Sequence, residues 1–318
     1  MIFLMRSLSA KAITLLILVP VLLLSACGGV ASTGGSGGSS GSSSKGNLTV
    51  GGKLDTEAQL LTDMYTQLLN KAGFHVTEKL ALGNSGFVFN ALSSHAIDLY
   101  PEFTATGLNK LGITSQHDPQ KDYQAVKSGF EQKYQITWLN PAPLNDGYAL
   151  CTSQAEAQRL GITSISDLAP KVSQLVLASP SDGTDFVDGL KSVYNFTTKS
   201  FKSLKTVDEA ISFKAVSGGQ AQVNVCYTTT GLIASQNFVI LKDDKNGFPQ
   251  FNPAPIVRQD ILSKYPDIAK ALNPLAPYLT TDVSITLQKQ VSDKAKSMST
   301  TEAVKEVAKS FLQSKGLL

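Results

Sequence analysis

The sequence predicts an α/β protein of two lobes, and three observations carry that expectation. Strand-like and helix-like segments alternate in βαβαβ order from Leu48 to Tyr100. The alternation restarts at Tyr148. Between the two runs lies Asn140-Pro-Ala-Pro143, whose prolines restrict the backbone and stop a helix from passing through, so it reads as a crossover. Setting aside the first 46 of 318 residues leaves 272, enough for two domains with cores of their own.

In order along the chain, 48–50 reads as a strand. Asp55 is then an N-cap before Leu60, Leu61, Met64 and Leu68, an apolar stripe at helical spacing that Gly73 ends. Residues 76–82 read as a second strand, 87–92 as a short helix and 96–100 as a third strand, so the sheet is expected to be largely parallel. The second run places strands at 148–152, 175–178 and 222–227. After Thr230-Gly231 comes an apolar strand near 238–241 and a mainly helical tail. Its last helix carries Ala303, Val304, Val307, Ala308, Phe311 and Leu312 on one side, with a capping box from Ser299 to Glu302 and a cap at Gly316. Periodicity does not say which lobe this tail joins, and no internal repeat is seen.

The leader has a different composition. A short basic region with Arg6 and Lys11 precedes an apolar run from Ala12 to Leu24, which reads as an export signal. It ends in Leu24-Ser-Ala-Cys27, small residues before a cysteine, which resembles a bacterial lipoprotein signal and points to lipidation of Cys27. From Gly28 to Gly46 the chain is almost all Gly and Ser, a flexible tether. No later apolar stretch is long enough to span a bilayer. Discounting Arg6 and Lys11 leaves 26 basic against 25 acidic side chains, with no block of like charge, which argues against a nucleic-acid partner. Of three cysteines, Cys151 and Cys226 fall in the folded part. An exported protein permits them to pair, and two buried free thiols are the alternative.

Signs of catalysis are missing. His75, His95 and His117 are far apart and have no HxxxH or CxxC spacing, so no metal site is expected. Gly51-Gly-Lys53 lacks the frame of a phosphate loop, no GxSxG elbow occurs, and no cofactor signature emerges. Asp185 and Asp188 read as solvated partners of a helix start. What stands out is aromatic side chains at strand ends and turns, drawn from both runs: Tyr100, Phe103, Tyr148, Tyr194 and Tyr227. Rings at the carboxyl ends of strands face the crevice where α/β folds bind ligands.

The segments VGGKLDTE (50–57), LGNS (82–85) and DLYPEFTATG (98–107) resemble the glycine betaine/choline-binding proteins of osmoprotectant ABC importers. So do NDGYAL (145–150), DGL (188–190), LKDDK (241–245), PIVR (255–258) and LNPL (272–275), in the same order, so the resemblance spans Leu48 to Leu318. It implies a two-lobed periplasmic-binding fold of type II with two crossover segments. Residues 1–26 would be the signal, 27–46 the lipidated cysteine and tether, 47–144 plus 232–318 lobe one, and 145–231 lobe two. It implies an extracytoplasmic, membrane-anchored monomer that is not an enzyme and that serves an ABC permease.

In that family an aromatic cage surrounds the trimethylammonium head, and by motif position its walls would be Phe103, Tyr148, Tyr194 and Tyr227. Thr106, Asp146 and Lys53 would be polar contacts. A quaternary ammonium has no N–H to donate, so ring faces suit it. Phe103 stands where the family usually has Tyr, Thr230 where it has Asp, and Ala58 where it has Gln. An arginine usual near Phe186–Gly189 is missing, which favours choline slightly over carboxylate-bearing betaines. A site for another small solute such as an amino acid remains the rival, with Arg258 to hold its carboxylate. A tethered surface enzyme is a more distant one.

Overall fold

The apolar run after the tether forms β1 (Asn47–Lys53), buried throughout from Val50 to Lys53. The computed structural model describes residues 44–181 and 183–318, so the export signal, Cys27 and the tether up to residue 43 lie outside the described residues. Asp55 caps α1 (Thr56–Lys71) by accepting from the Ala58 amide, and Gly73 ends it with φ +96°. Then follow β2 (His75–Gly83), α2 (Ser85–Ser93), β3 (Leu99–Phe103), α3 (Thr104–Leu111), α4 (Pro119–Tyr134) and β4 (Ile136–Trp138). Beyond a first crossover come β5 (Tyr148–Ser153), α5 (Gln154–Leu160), α6 (Ile165–Leu168), β6 (Val176–Ser179), α7 (Gly183–Gly189) and α8 (Lys191–Tyr194). The run continues through β7 (Ser203–Thr206), α9 (Glu209–Ser217), β8 (Val223–Tyr227), α10 (Leu232–Ser235) and β9 (Phe238–Ile240). A second crossover leads to β10 (Pro253–Arg258), α11 (Gln259–Lys264), α12 (Asp267–Leu272), α13 (Thr281–Lys294) and α14 (Thr300–Ser314).

Two five-stranded sheets result, ordered β2-β1-β3-β10-β4 and β7-β6-β8-β5-β9. They are mixed rather than largely parallel. The pairings of β1 with β2 and β3, and of β6 with β7 and β8, are parallel. Every pairing made by β5 or β10 is antiparallel. These two strands follow the crossovers instead of a covering helix, so the chain enters each sheet from the other end.

The expected return to the first lobe at residue 232 is also corrected. Thr230-Gly231 leads into α10, β9 pairs with β5, and Leu241 and Phe248 fill the second sheet's core. The chain rejoins the first sheet only at β10, after crossover residues 249–252.

Each sheet has its own core on both faces. In the first, Leu48, Val50, Leu61 and Met64 pack with α13 and α14, while Val88, Phe130 and Trp138 fill the opposite face. The tail therefore joins the first sheet. All six apolar residues of the α14 stripe are buried, the Ser299–Glu302 capping box is formed, and Gly316 adopts φ +68°. In the second sheet Cys151 and Cys226 are joined by a disulfide between the neighbouring strands β5 and β8.

Pro253 and Pro255 sit in β10, between two partner strands, where proline usually breaks a ladder. Their carbonyls accept from Ala142 N (2.8 Å) and Leu139 N (2.9 Å), so the missing amide hydrogens face that irregular segment and the ladder to β3 stays intact. No helix among the described residues is long and apolar enough to cross a membrane.

Candidate functional site

The parallel strands β1 and β3 end in Lys53 and Phe103, each followed at once by a helix or its cap. The Lys53 ammonium pairs with the Glu102 carboxylate, both nearly fully buried. It also lies 4.6 Å from the centroid of the Phe103 ring. Glu102 is satisfied from two further sides, by the Tyr100 hydroxyl (2.7 Å) and the Phe103 amide (2.8 Å). A buried ion pair with its remaining lone pairs occupied is the form that tolerates desolvation.

Beside this pair the two crossovers run together. Asp146 N donates to Phe251 O (3.1 Å), Phe251 N to Asn145 Oδ1 (2.8 Å), and Asn252 Nδ2 to Leu144 O (2.8 Å). The Thr104 hydroxyl at the start of α3 donates to Gln250 O (2.6 Å), tying the second crossover to the first sheet. Gly147 lets the backbone pass closely here, since a Cβ would stand 3.0 Å from Asn145 Oδ1 and 3.1 Å from the Phe251 ring, tight against both.

The crossovers deliver a cluster of four rings. Tyr148 opens β5 and Tyr227 closes β8, directly opposite in register, with centroids 4.9 Å apart and hydroxyls 3.4 Å apart. Phe186 from α7 stacks on Tyr148 at 4.2 Å and 24°. Phe251 presents an edge to Tyr148 at 6.4 Å and to Phe186 at 6.0 Å. Thr106 reaches the cluster from α3, lining with Asn109, Asp185, Phe186 and Phe251 a cavity of about 460 Å³.

Among the expected residues, then, Tyr148 and Tyr227 come together, Thr106 shares a cavity with Phe186 and Phe251, and Phe103 stands with Lys53 on the first-sheet side. Tyr194 is not brought to the cluster. Its ring is buried in the second core against Phe196, and its hydroxyl donates to Asp243, accepts from Lys245 N (2.8 Å) and lies 3.2 Å from Asp244. Burial and then Asp243 push its phenol far above the ordinary range. Phe186 and Phe251 were missed. Phe251 had a signal, since it precedes a proline-rich strand start as Phe103 ends a strand, whereas Phe186 sits on a seven-residue helix with little periodicity.

Two buried carboxylates lie near the first crossover. Asp146 accepts from the Thr229 hydroxyl (2.6 Å), and burial first, then Asp55, raise its pKa against the pull of Lys53. Glu57, in the first turn of α1, is 3% exposed; burial and then Asp146 raise its pKa well above the ordinary value. Its Oε2 accepts from Ser284 and Gln288 of α13, and its Oε1 has no hydrogen-bond partner. Glu57 carries no distinctive local signal, since acids in a first helical turn are commonplace.

Other candidates are structural. Asp188 accepts from Thr198 N and Oγ1 at 2.7 and 2.6 Å. Arg258 is held by Asp98 (3.0 Å), Asp260 (3.0 Å) and Ile97 O (2.9 Å). It occupies the end of β10 that pairs toward Leu99, away from Phe103. Among the described residues no group of His, Cys, Asp and Glu could hold a metal ion.

Comparison with known proteins gives a consistent set of relatives. The family described as the substrate binding domain of ABC-type glycine betaine transport systems matches residues 46–314. The glycine betaine-binding protein YehZ of Escherichia coli is 29% identical over 280 residues, spanning 84% of this chain and 90% of that protein. A glycine-betaine-binding protein of Pseudomonas aeruginosa is 30% identical over 240 residues, 72% of this chain and 76% of its own length. The solved structure of apo YehZ superposes with a TM-score of 0.71 at 27% identity, covering 86% of this chain and 99% of that one.

Proposed function

The chain belongs to the family of substrate binding domains of ABC-type glycine betaine transport systems, and from that premise we propose that it captures a quaternary-ammonium compound at its ring cluster. Tyr148, Phe186, Tyr227 and Phe251 are the walls in this reading, and the ligand passes from them to a membrane permease. The observation that carries it is the convergence of four rings from β5, α7, β8 and the second crossover.

The physics supports such a ligand. Each desolvated ring face contributes ~1–2 kcal/mol to a bound cation. Three or four faces together approach the roughly 8 kcal/mol of micromolar binding. Tyr148 and Phe186 at 4.2 Å are in contact with each other, so the ligand displaces Phe186 and α7 swings aside to admit it. The two sheets act as lobes that close about the crossovers at 144–147 and 249–252, with Phe103, Thr106 and Lys53 approaching from the first.

Choline fits this reading better than glycine betaine. A ligand carboxylate needs a free cation, yet Lys53 is paired with Glu102 and Arg258 is committed at the far end of β10. Asp146 and Glu57 instead complement a net positive charge. The same facts count against an amino-acid site. Outside the membrane, Cys27 carries the lipid anchor, the Gly/Ser run is the tether, and the protein works as a monomer.

Calorimetric titration with choline, glycine betaine, carnitine, proline betaine and a panel of amino acids tests the reading. One-to-one saturable binding of choline, tighter than that of glycine betaine, is expected. Binding of amino acids alone, or of none of these compounds, overturns it.

A further inference from the structure

The buried carboxylates near the first crossover outnumber the cations available to them. Lys53 is taken by Glu102 and lies over Phe103. Neither Glu57 nor Asp146 forms an ion pair with a lysine or arginine among the described residues. Glu57 meets only the Ser284 hydroxyl and the Gln288 amide, and Asp146 meets the Thr229 hydroxyl. One Glu57 oxygen is buried with no partner at all. A buried carboxylate without a counter-ion holds its proton more tightly, because the ionised form is the costly one.

The pair is placed to sense the site. Asp146 is two residues before Tyr148, its amide holds Phe251, and its partner Thr229 is two residues after Tyr227. Glu57 reaches the same region from α1, with Lys53 of β1 and the N-cap Asp55 close enough to influence both carboxyls. Ser284 and Gln288 approach from α13, Glu102 from β3, and Glu209 of α9 accepts from Tyr227 N on the second-sheet side.

We infer that Glu57 and Asp146 are the counter-charge of the bound cation, and that capture of the ligand expels a proton from one of them. This rests on the ring cluster being a quaternary-ammonium site. A fixed positive charge arriving beside the pair favours its ionised form, so a carboxyl O–H breaks and the proton leaves to solvent. Burial raises both pKa values in the free protein, and the cation lowers them. Affinity for a cation therefore rises with pH until the free protein has lost the proton, by at most about tenfold per pH unit per proton. A zwitterion such as glycine betaine, with no net charge, releases less.

The test is titration of the purified protein with choline at one acidic-to-neutral pH in two buffers of different ionisation enthalpy, such as phosphate and imidazole. The expected result is an apparent enthalpy that differs between buffers by roughly half a proton or more per choline bound. Release should shrink in Glu57→Gln and in Asp146→Asn, and the wild-type Kd should fall as pH rises from about 5 to 8. Binding with equal enthalpy in both buffers and a pH-independent Kd overturns the inference and leaves the ligand reading standing. Undiminished release in both variants also overturns it. No choline binding at any pH removes the ligand reading and this inference with it.

Discussion

Tyr148→Ala tests the ring cluster at its hub, because Tyr148 is the residue that touches all three of the others, at 4.2, 4.9 and 6.4 Å. Two losses combine. One is a ring face against the cation, ~1–2 kcal/mol. The other is ring-on-ring contact that holds Phe186 and Tyr227 in place, ~0.5–1.5 kcal/mol per pair, of which only the part that pre-organises the site counts against the ligand. Together they reach ~2–3 kcal/mol, or choline binding weaker by about 30- to 150-fold. Calorimetry measures the affinity, and circular dichroism with a thermal melt checks that the fold survives the loss of this half-buried side chain. Tyr148→Leu keeps much of the apolar bulk without the π face and should lose about 5- to 30-fold. If both variants bind choline within threefold of the wild type, the rings do not hold the cation.

Three further outcomes are expected. Tyr194→Phe removes the hydroxyl shared by Asp243 and Lys245 N, so it should cost ~1–2 kcal/mol of stability in a denaturant melt while leaving affinity within twofold. A large affinity loss at unchanged stability would restore Tyr194 to the cage. Asp63, 2% exposed and facing Glu78, has its pKa raised from 3.8 to about 7 by burial first. The folded state keeps that proton while the unfolded chain loses it near pH 4, so stability falls between about pH 4 and 7 by up to ~1.4 kcal/mol per unit. Asp63→Asn should accordingly raise the melting temperature at pH 8 and leave it nearly unchanged at pH 4, and equal shifts at both would refute the assignment. Reduction, or Cys151→Ser with Cys226→Ser, opens a link across a separation of 75 residues and should cost ~2–4 kcal/mol. A melt unchanged by reductant would show that the bond contributes nothing.

Much of the fold was legible because its signals are local. The α14 stripe, its capping box and the Asp55 cap each follow from side chains within one or two turns, and each is formed. Strand direction was not legible. It depends on the route by which the chain enters a sheet, and both crossovers reverse β5 and β10 without leaving a periodic trace. The prolines of β10 hid a central strand, since a missing amide hydrogen is harmless only when it faces an irregular segment. β7 is exposed along its whole length and β4 has three residues, so neither shows alternation.

The site divides in the same way. Tyr148 and Tyr227 were accessible as rings at strand ends, and their direct opposition follows from the β5–β8 register. Tyr194 has the same local appearance, but the acids at 243 and 244 claim its hydroxyl from 49 and 50 residues away. Phe186, Phe251 and Glu57 matter because of what lies across the crossovers from them, which no sequence window contains.

The central claim is that a quaternary ammonium sits among these rings, and a crystal structure of the protein with choline tests it most directly. Phe186 should be moved off Tyr148, with the quaternary nitrogen within about 6 Å of the Tyr148 and Tyr227 centroids. Choline bound elsewhere, or the Tyr148–Phe186 stack still closed at 4.2 Å with ligand present, would contradict it.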